Sequence, residues 1–592
     1  MRLGSLTLLA GLAFALESRG EETPETRPLG NIINLADPAN DSEWDTESFS
    51  KNAQTQLNLI GDALKNDFAT DDRTALATAT SPSFASPPLT PPTSEVFSDH
   101  TFTVRRYNPA ASPAHNNASL ESKVAALHSR LSTRPGHSNA KTKIVRVDQK
   151  NGTAVTHVYF EASRSGLQLN AIWNVSWQLQ NTPHSLPLIS AINILTYEET
   201  ESANTPGSPN FSDCTESLFA HLDAYNQQLA YGANHWYGNL DGAFGVNQAN
   251  QGIAVADVNS DGLEDIYLCQ PGGLPNRLFI RSKDGSLHDH TAVSGLGILD
   301  ISRSALFIDL DADGDQDFVV GHSHSISVHE GDGFANFTHR ATIDLFSRVS
   351  GISAADYDND GDLDIYVCGY SPKGQMGPTD IFANPVPYHD ANNGALNYLL
   401  ANQGNFDFTD ATQPADLNHN NTRYSFTATW EDFDNDGDQD IYVANDFGRN
   451  NLYRNNLVPS GSATFTDVAE QLAAEDIAAG MSVAWGDYNN DGNMDLYVSN
   501  MWSSAGNRIA FQDQFKPAGD SQTLPLFQRH ARGNSLFKNI GQGTPFEDVS
   551  VTADVTMGRW AWGSLFADLN NDGWEDLYVT NGFMTAAQSG DL

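Results

Sequence analysis

The chain has 592 residues, enough for more than one domain, and carries 74 acidic against 32 basic side chains for a formal charge of -42. A surface this negative repels nucleic-acid phosphates and anionic membranes, and its self-repulsion calls for bound cations. Three cysteines, Cys214, Cys269 and Cys368, are too few for a disulfide framework; Cys269 and Cys368 end equivalent segments (YLC and YVC) and read as core packing.

At the N-terminus Arg2 precedes an apolar run, Leu3 to Leu16, with Ala13-Phe14-Ala15 offering a small-x-small cleavage site. This is the pattern of a secretory signal peptide over 1–16, so a secreted, periplasmic or cell-surface protein is expected. No later apolar run is long enough for a membrane span. Residues 17–100 read as a leader: Gln54 to Lys65 has helical apolar spacing, and Ala79 to Ser98 is dense in Pro, Ser and Thr, the composition of a linker or exposed excursion. Over 101–205, TKIVRVDQ, AVTHVYFEAS, QLNAIWNVSWQLQ and PLISAINILTYEE read as strands, with turn residues at Asn151-Gly152 and Ser165-Gly166. They predict a small antiparallel β-rich domain, closed into an α+β unit by the upstream helix. Gln168 to Gln178 alternates apolar with polar residues, so one face is covered. A connector, 206–245, is helical over Glu216 to Leu229.

From 246 to 592 one nine-residue loop, D-x-[DN]-x-D-G-x-x-D, recurs six times, starting at residues 257, 309, 356, 432, 487 and 568. An apolar strand precedes each loop (GIAVA, SALFI, GISAA, FTATW, MSVAW, WGSLFA) and another follows (DIYLC, DFVVG, DIYVC, DIYVA, DLYVS, DLYVT). Four units add a third segment, NRLF at Asn276, NYLL at Asn397, NLYRN at Asn451 and NSLFKN at Asn534. F-x-D strands close units at Phe465 and Phe546. Four short strands per unit describe a blade of an antiparallel β-propeller, which buries its faces against neighbouring blades. Two long intervals hold insertions, at about 369–394 and 501–532. A parallel β-roll with calcium-binding turns competes, but its repeat would be nearer nine residues than fifty.

The loop chemistry is that of a hard cation site. Positions 1, 3, 5 and 9 supply side-chain oxygens, position 6 is the Gly that permits the bend, and position 7, which varies freely, offers its carbonyl. The ligand sets are therefore Asp257, Asn259, Asp261, Leu263 and Asp265; Asp309, Asp311, Asp313, Asp315 and Asp317; and Asp356, Asp358, Asp360, Asp362 and Asp364. The later three are Asp432, Asp434, Asp436, Asp438 and Asp440; Asp487, Asn489, Asp491, Asn493 and Asp495; and Asp568, Asn570, Asp572, Trp574 and Asp576. All-oxygen, anionic sets suit Ca²⁺ better than zinc, copper or the tighter Mg²⁺ octahedron, so about six calcium ions are expected. The loops at 309, 356 and 432 have Asp at position 3 and should bind more tightly than those with Asn.

These hairpins, with YLCQPGGLPNRLF (Tyr267 to Phe279), PYHDANNG (Pro387 to Gly394) and YVANDFGRNNLYRN (Tyr442 to Asn455), resemble FG-GAP or VCBS-type repeats. Such repeats form the propellers of integrin α-subunits. The nearer resemblance is to the cartilage-acidic-protein-like group associated with ASPIC/UnbV domains. It implies a seven-bladed calcium-binding propeller and an extracellular adhesive role. The sequence departs from that group at its C-terminal end, where six loops are present and no ASPIC/UnbV segment follows.

Two smaller clusters stand outside this pattern. His322, His324 and His329 (HSHSISVHE) place two imidazoles on one strand face, a candidate transition-metal site or a set of polar strand residues. His389 and Asp390, in the first insertion, are candidates for ligand binding or for a tight turn. No serine elbow, P-loop or HExxH occurs. Two functional classes follow. One is a secreted, calcium-stabilised module that binds an extracellular protein or glycan. The other is an exported hydrolase or metal-dependent oxidoreductase using the propeller as scaffold.

Overall fold

The computed structural model describes residues 45–109, 115–150, 153–180, 185–204, 211–231, 235–236, 239, 252–373, 385–512, 515, 522–541 and 543–582. The expected signal peptide, the leader up to 44, the Asn151-Gly152 turn and parts of the connector and of both insertions lie outside the described residues.

The N-terminal unit is α+β. Helix α1 (Asp45–Lys65) buries Phe49, Ala53, Leu57, Ile60 and Leu64, spaced three or four apart, and α2 (Thr70–Thr78) follows it. Helix α3 (Leu120–Leu131), not foreseen from the sequence, buries Leu120, Val124, Leu127 and Leu131, and Ser119 Oγ caps it by accepting from the Ser122 amide. The sheet is built from β1 (Thr80–Ala85), β2 (Thr93–Ser98), β3 (Phe102–Tyr107), β4 (Asn139–Lys150), β5 (Thr153–Arg164), β6 (Leu167–Gln178) and β7 (Leu188–Ser202). Its order is β2-β3-β7-β6-β5-β4, with β1 parallel to β7. In β6 the alternate residues Leu167, Leu169, Ala171, Trp173, Val175 and Trp177 are all buried against the helices.

The stretch 79–98 is not a linker. It forms β1 and β2, and Phe84 and Leu89 join the core. Its prolines fit because β1 meets β7 only at Thr80 and Ala85, across an irregularity that spares Pro82 any ladder bond, and because Pro87, Pro88, Pro91 and Pro92 lie between β1 and β2. The connector is two short turns rather than one helix, α4 (Thr215–Phe219) and a π-turn at Tyr225–Leu229.

Among the described residues, five four-stranded antiparallel sheets follow in chain order, then a two-stranded one; a further short pair, Gly448–Arg449 with Ile477–Ala478, lies between the fourth and fifth. Sheet I comprises Ile253–Ala256, Asp265–Leu268, Arg277–Arg281 and Leu287–Asp289. Sheet II comprises Ser304–Ile308, Asp317–Gly321, Ser325–Gly331 and Phe337–Asp344. Sheet III comprises Ser347–Ala355, Asp364–Pro372, Tyr398–Asn402 and Phe408–Asp410. Sheet IV comprises Ser425–Glu431, Asp440–Asn445, Asn451–Asn455 and Phe465–Asp467. Sheet V comprises Gly480–Gly486, Asp495–Asn500, Ser535–Lys538 and Glu547–Asp548. Sheet VI comprises Ala561–Ala567 and Asp576–Asn581. Each nine-residue loop is the turn between first and second strands, so position 9 starts the second strand.

The core of this half consists of layers between consecutive sheets. In sheet III, Ile365 and Val367 pack back on Val319, Ile326 and Val328 of sheet II, while Tyr366 and Cys368 pack forward on Ile441, Val443 and Tyr453 of sheet IV. The DIYVC alternation is thus buried on both faces, each against a different neighbour. First strands of successive sheets also lie side by side. At Gly351 an added Cβ would stand 2.9 Å from the Phe426 carbonyl oxygen, so the approach of sheets III and IV requires glycine there. An asparagine before the third strand brackets the end of the second: the side chains of Asn276, Asn397, Asn450 and Asn534 accept from the amides of Gln270, Gly369, Asn445 and Asn500. In sheet IV this places the bracket at Asn450, one residue before the strand-opening Asn451.

The second insertion joins the two halves. Helix α5 (Ser504–Ala510) lies on β4, and Arg508, 8% exposed, pairs with Glu47 at 3.2 Å and donates to the Ile144 carbonyl. Helix α6 (Thr523–His530) returns the chain to sheet V. Removing one partner of a buried pair strands the other charge, a cost of about 3–5 kcal/mol. Arg508→Ala is expected to split a single calorimetric unfolding transition into two and to speed proteolysis within 501–532. Unchanged calorimetry would show that this brace does not hold the halves together.

Candidate metal centres

Each loop is wound by its own backbone. The position-1 carboxylate accepts the amides of positions 5 and 6, as in Asp261 and Gly262 to Asp257 at 3.0 and 2.7 Å, and this pair recurs in all six loops. The position-5 carboxylate accepts from position 7, leaving the position-7 carbonyl free of that turn. The Gly at position 6 has φ between 85° and 99°. The sequence reading missed a second bend at position 4, where Ser260, Ala312, Asn359, Asn435, Asn490 and Asn571 all have φ between 56° and 59°. Asn in four of these six places was the available signal, because Asn tolerates left-handed backbone better than other side chains.

The position-9 aspartates Asp265, Asp317, Asp364, Asp440 and Asp495 are at most 2% exposed. One oxygen accepts from a third-strand or following amide of the same sheet: Arg281, Gly331, Asn402, Asn455 and Asn539, at 2.7–2.9 Å. Except in the fifth loop, the other oxygen accepts from the position-2 amide. In the fifth, Asn489 Nδ2 takes that role at 2.8 Å. Burial, reinforced by the neighbouring aspartates, pushes these carboxyls up: Asp317 to about 6, Asp364 and Asp495 to about 7, and Asp440 to about 9.

Position 3 divides the loops. Asp311, Asp358, Asp434 and Asn489 each have a buried Oδ1 with no hydrogen-bond partner among the described residues. A buried acceptor left without a donor is costly, and here it sits among other oxygens of the same loop. In the first and last loops the position-3 oxygen is satisfied, Asn259 by the Asp261 amide and Asn570 by the Asp572 amide. Asp309, Asp311 and Asp317, then Asp356, Asp358 and Asp360, then Asp432, Asp434 and Asp440 each bring carboxylate oxygens within 4.8 Å of one another. Such sets fit a divalent cation. Positions 1, 3, 5 and 9 would hold it with the carbonyl of position 7, and the ion would neutralise the repelling carboxylates.

Position 7 has further uses. Asp438, pushed up by burial to about 6, accepts the Val458 amide at 2.8 Å. Trp574 and Leu569 of the last loop are exposed. The N-terminal unit also reaches that loop: Asp99 accepts from Asn570 Nδ2 at 2.8 Å.

The three histidines do not converge. His322 and His329 both place Nε2 on Ser327 Oγ, at 2.9 and 3.1 Å, whereas His324 lies near Lys373, Arg348 and Arg303. Burial holds His329 down at about 4. In the first insertion Asp390 bridges Arg423 and Arg449 at 2.8 and 3.0 Å, and the His389 ring lies 4.7 Å from Phe527 of α6.

A family model of the FG-GAP-like repeat matches residues 257–320, 309–367, 432–498 and 526–579, so this half of the chain carries FG-GAP-like repeats. Cartilage acidic protein 1 of Xenopus tropicalis is 24% identical over 394 residues, 57% of this chain and 58% of that protein; the chain thus spans rather more than half of that relative. Among solved structures, the V. cholerae biofilm matrix protein Bap1 is 16% identical over 43% of this chain and 35% of its own, with a TM-score of 0.24. An M. tuberculosis LEH-like epoxide hydrolase is 12% identical over 24% of this chain and 82% of its own, with a TM-score of 0.15.

Two outcomes follow from the trapped charge. Asp358→Asn removes one repelling carboxylate and replaces a charged ligand with a neutral one. It should raise the melting temperature in chelator and lower it in calcium, by roughly 2–4 °C each way for a change of about 1 kcal/mol; a shift of the same sign in both would contradict the assignment. The position-9 carboxyls have folded values above the unfolded value near 4, so they stabilise the fold at low pH and that contribution is lost as pH rises through about 6 to 9. Chelated protein should therefore melt higher at pH 6 than at pH 8. His329, buried neutral, opposes this only below about 6.5, and calcium should abolish the gain.

Proposed function

We propose that sheets I to VI are blades of a calcium-stabilised β-propeller, and that the exported protein serves as a binding or adhesion module for an extracellular protein or glycan. The observation that carries the metal reading is the set of buried, unpartnered position-3 oxygens at Asp311, Asp358, Asp434 and Asn489. Side-by-side first strands and layered cores support the radial arrangement. The matching of four repeats to the FG-GAP-like model supports the adhesive class. Export is supported by the leading apolar run; among the described residues, no helix is long and apolar enough to cross a membrane.

In this reading the ions are structural clamps. A cation bound only by the folded loop stabilises it by about 2.7 kcal/mol at a hundredfold excess over its Kd, and several sites add. Six divalent ions would bring the formal charge from -42 to -30. Elemental analysis of purified protein is expected to give about six calcium ions per chain. Excess EDTA is expected to lower the melting temperature by about 10 °C or more. Metal-free protein with an unshifted transition would end the clamp reading, and stoichiometric copper or iron would favour the oxidoreductase. Retention on a polysaccharide or matrix-protein array in calcium but not in EDTA would support the binding role.

A further inference from the structure

We propose that Asn402, Asn455 and Asn539 are positioning residues that couple cation binding across the second to fifth loops, making them one cooperative array. The inference rests on the reading of these loops as cation sites.

The three asparagines stand at the same place, at or just after the end of the third strand of sheets III, IV and V, and each is at most 3% exposed. Each main-chain amide donates to the position-9 carboxylate of its own loop, Asp364, Asp440 or Asp495, at 2.9, 2.7 and 2.7 Å. Each Nδ2 reaches back to the preceding loop and donates to its position-2 carbonyl, at Leu310, Tyr357 or Phe433, at 2.8 Å in all three cases. The second Nδ2 proton goes to the position-8 carbonyl of its own loop, and Oδ1 accepts from the turn that follows. These side chains are therefore fully committed, and each commitment is to a loop or to the turn beside it.

Position 2 completes the connection. The amides of Leu310, Tyr357 and Phe433 donate to Asp317, Asp364 and Asp440, the position-9 carboxylates of their own loops. A continuous course of hydrogen bonds, passing through residues 310, 357 and 433, thus runs from the position-9 carboxylate of the second loop to that of the fifth. The loops it joins are the same four that hold an unpartnered position-3 oxygen. The first loop stands apart: its position-2 carbonyl, at Val258, accepts from the Ala335 main chain instead. The sixth has no third strand among the described residues.

The physical consequence is preorganisation. An ion in one loop fixes positions 1 and 3, and so the residue between them. The neighbouring asparagine is then held, and with it the carboxylate that the next ion needs. The next ion meets less ordering cost, and the effect is reciprocal.

Calcium titration of the full, previously chelated chain tests this. Wild type is expected to take up four ions in one steep phase, with a Hill coefficient above 1, and two more independently. Asn455→Ala should leave the total at six and divide the steep phase into two pairs. Because that variant removes buried bonds and could unfold, Asp434→Ala, which removes the position-3 oxygen of the fourth loop, provides a second route. It should bind five ions, with the second and third loops still coupled to each other and the fifth loop weakened about 3- to 10-fold. In an Asn539→Ala background Asp434→Ala should no longer weaken the fifth loop. Unaltered steepness in Asn455→Ala, or an unaltered fifth-loop affinity in Asp434→Ala, overturns the coupling while leaving the cation reading intact. Failure of wild type to bind calcium at all overturns both.

Discussion

A buried carboxylate at the start of the second strand in sheets I to V is the constraint around which the repeats are arranged. Asp265, Asp317, Asp364, Asp440 and Asp495 tie three things at once: the acidic turn, through the position-2 amide or the Asn489 side chain; the third strand, through a second amide; and the candidate cation set. Two amides neutralise part of the charge. Burial, and then the neighbouring carboxylates facing it, outweigh those bonds, so the position-9 groups of the later loops are driven towards protonation. A divalent cation would resolve the conflict without a proton. The same residue that makes the hairpin hold its shape is therefore the one that a bound cation would relieve.

This constraint also orders the packing. Once position 9 fixes where the second strand begins, the following residues alternate, and their two faces are committed to two neighbours. Tyr366 and Cys368 can go only towards sheet IV, Ile365 and Val367 only towards sheet II. Each sheet thus depends on the next. Among the described residues no further sheet packs on sheet VI, and Leu565 and Tyr578 of its strands, with Leu569 and Trp574 of its loop, are 43–54% exposed. On sheet I, Leu222 and Ala224 of the connector cover Phe279 and Leu287, while Ile253 and Val255 of its first strand stay exposed.

What the sequence disclosed followed the same logic. The acidic positions, the glycine and the flanking alternation repeat with their side chains in fixed roles, so six copies made the hairpins and their strands legible. The left-handed residue at position 4 was less so, since Ser260 and Ala312 occupy it as well as Asn and no single side chain marks it. The asparagines 402, 455 and 539 were visible as letters closing the third segments, yet their partners are a carbonyl in the previous repeat and an aspartate 15 to 44 residues away, which no local pattern encodes. In the N-terminal unit, β6 announced itself by alternation, whereas β1 was hidden by Pro82. A strand that meets its neighbour at only two places does not need the amides that proline lacks.

The insertions bear most directly on function. Loops that interrupt a regular scaffold are the usual place for catalytic groups, and His389 and Asp390 invited that reading. Their surroundings give them another task. Asp390 is held below the usual carboxylate range by Arg423 and Arg449, a state suited to a permanent ion pair and unsuited to a proton donor or acceptor near neutrality. Arg508, from the second insertion, is likewise spent on Glu47 and the Ile144 carbonyl. His389 lies on Phe527, so the first insertion rests on the second, and the second rests on the N-terminal unit. Charged groups from both insertions thus act as braces between elements, and a rigid, braced surface of this kind supports the proposed binding role.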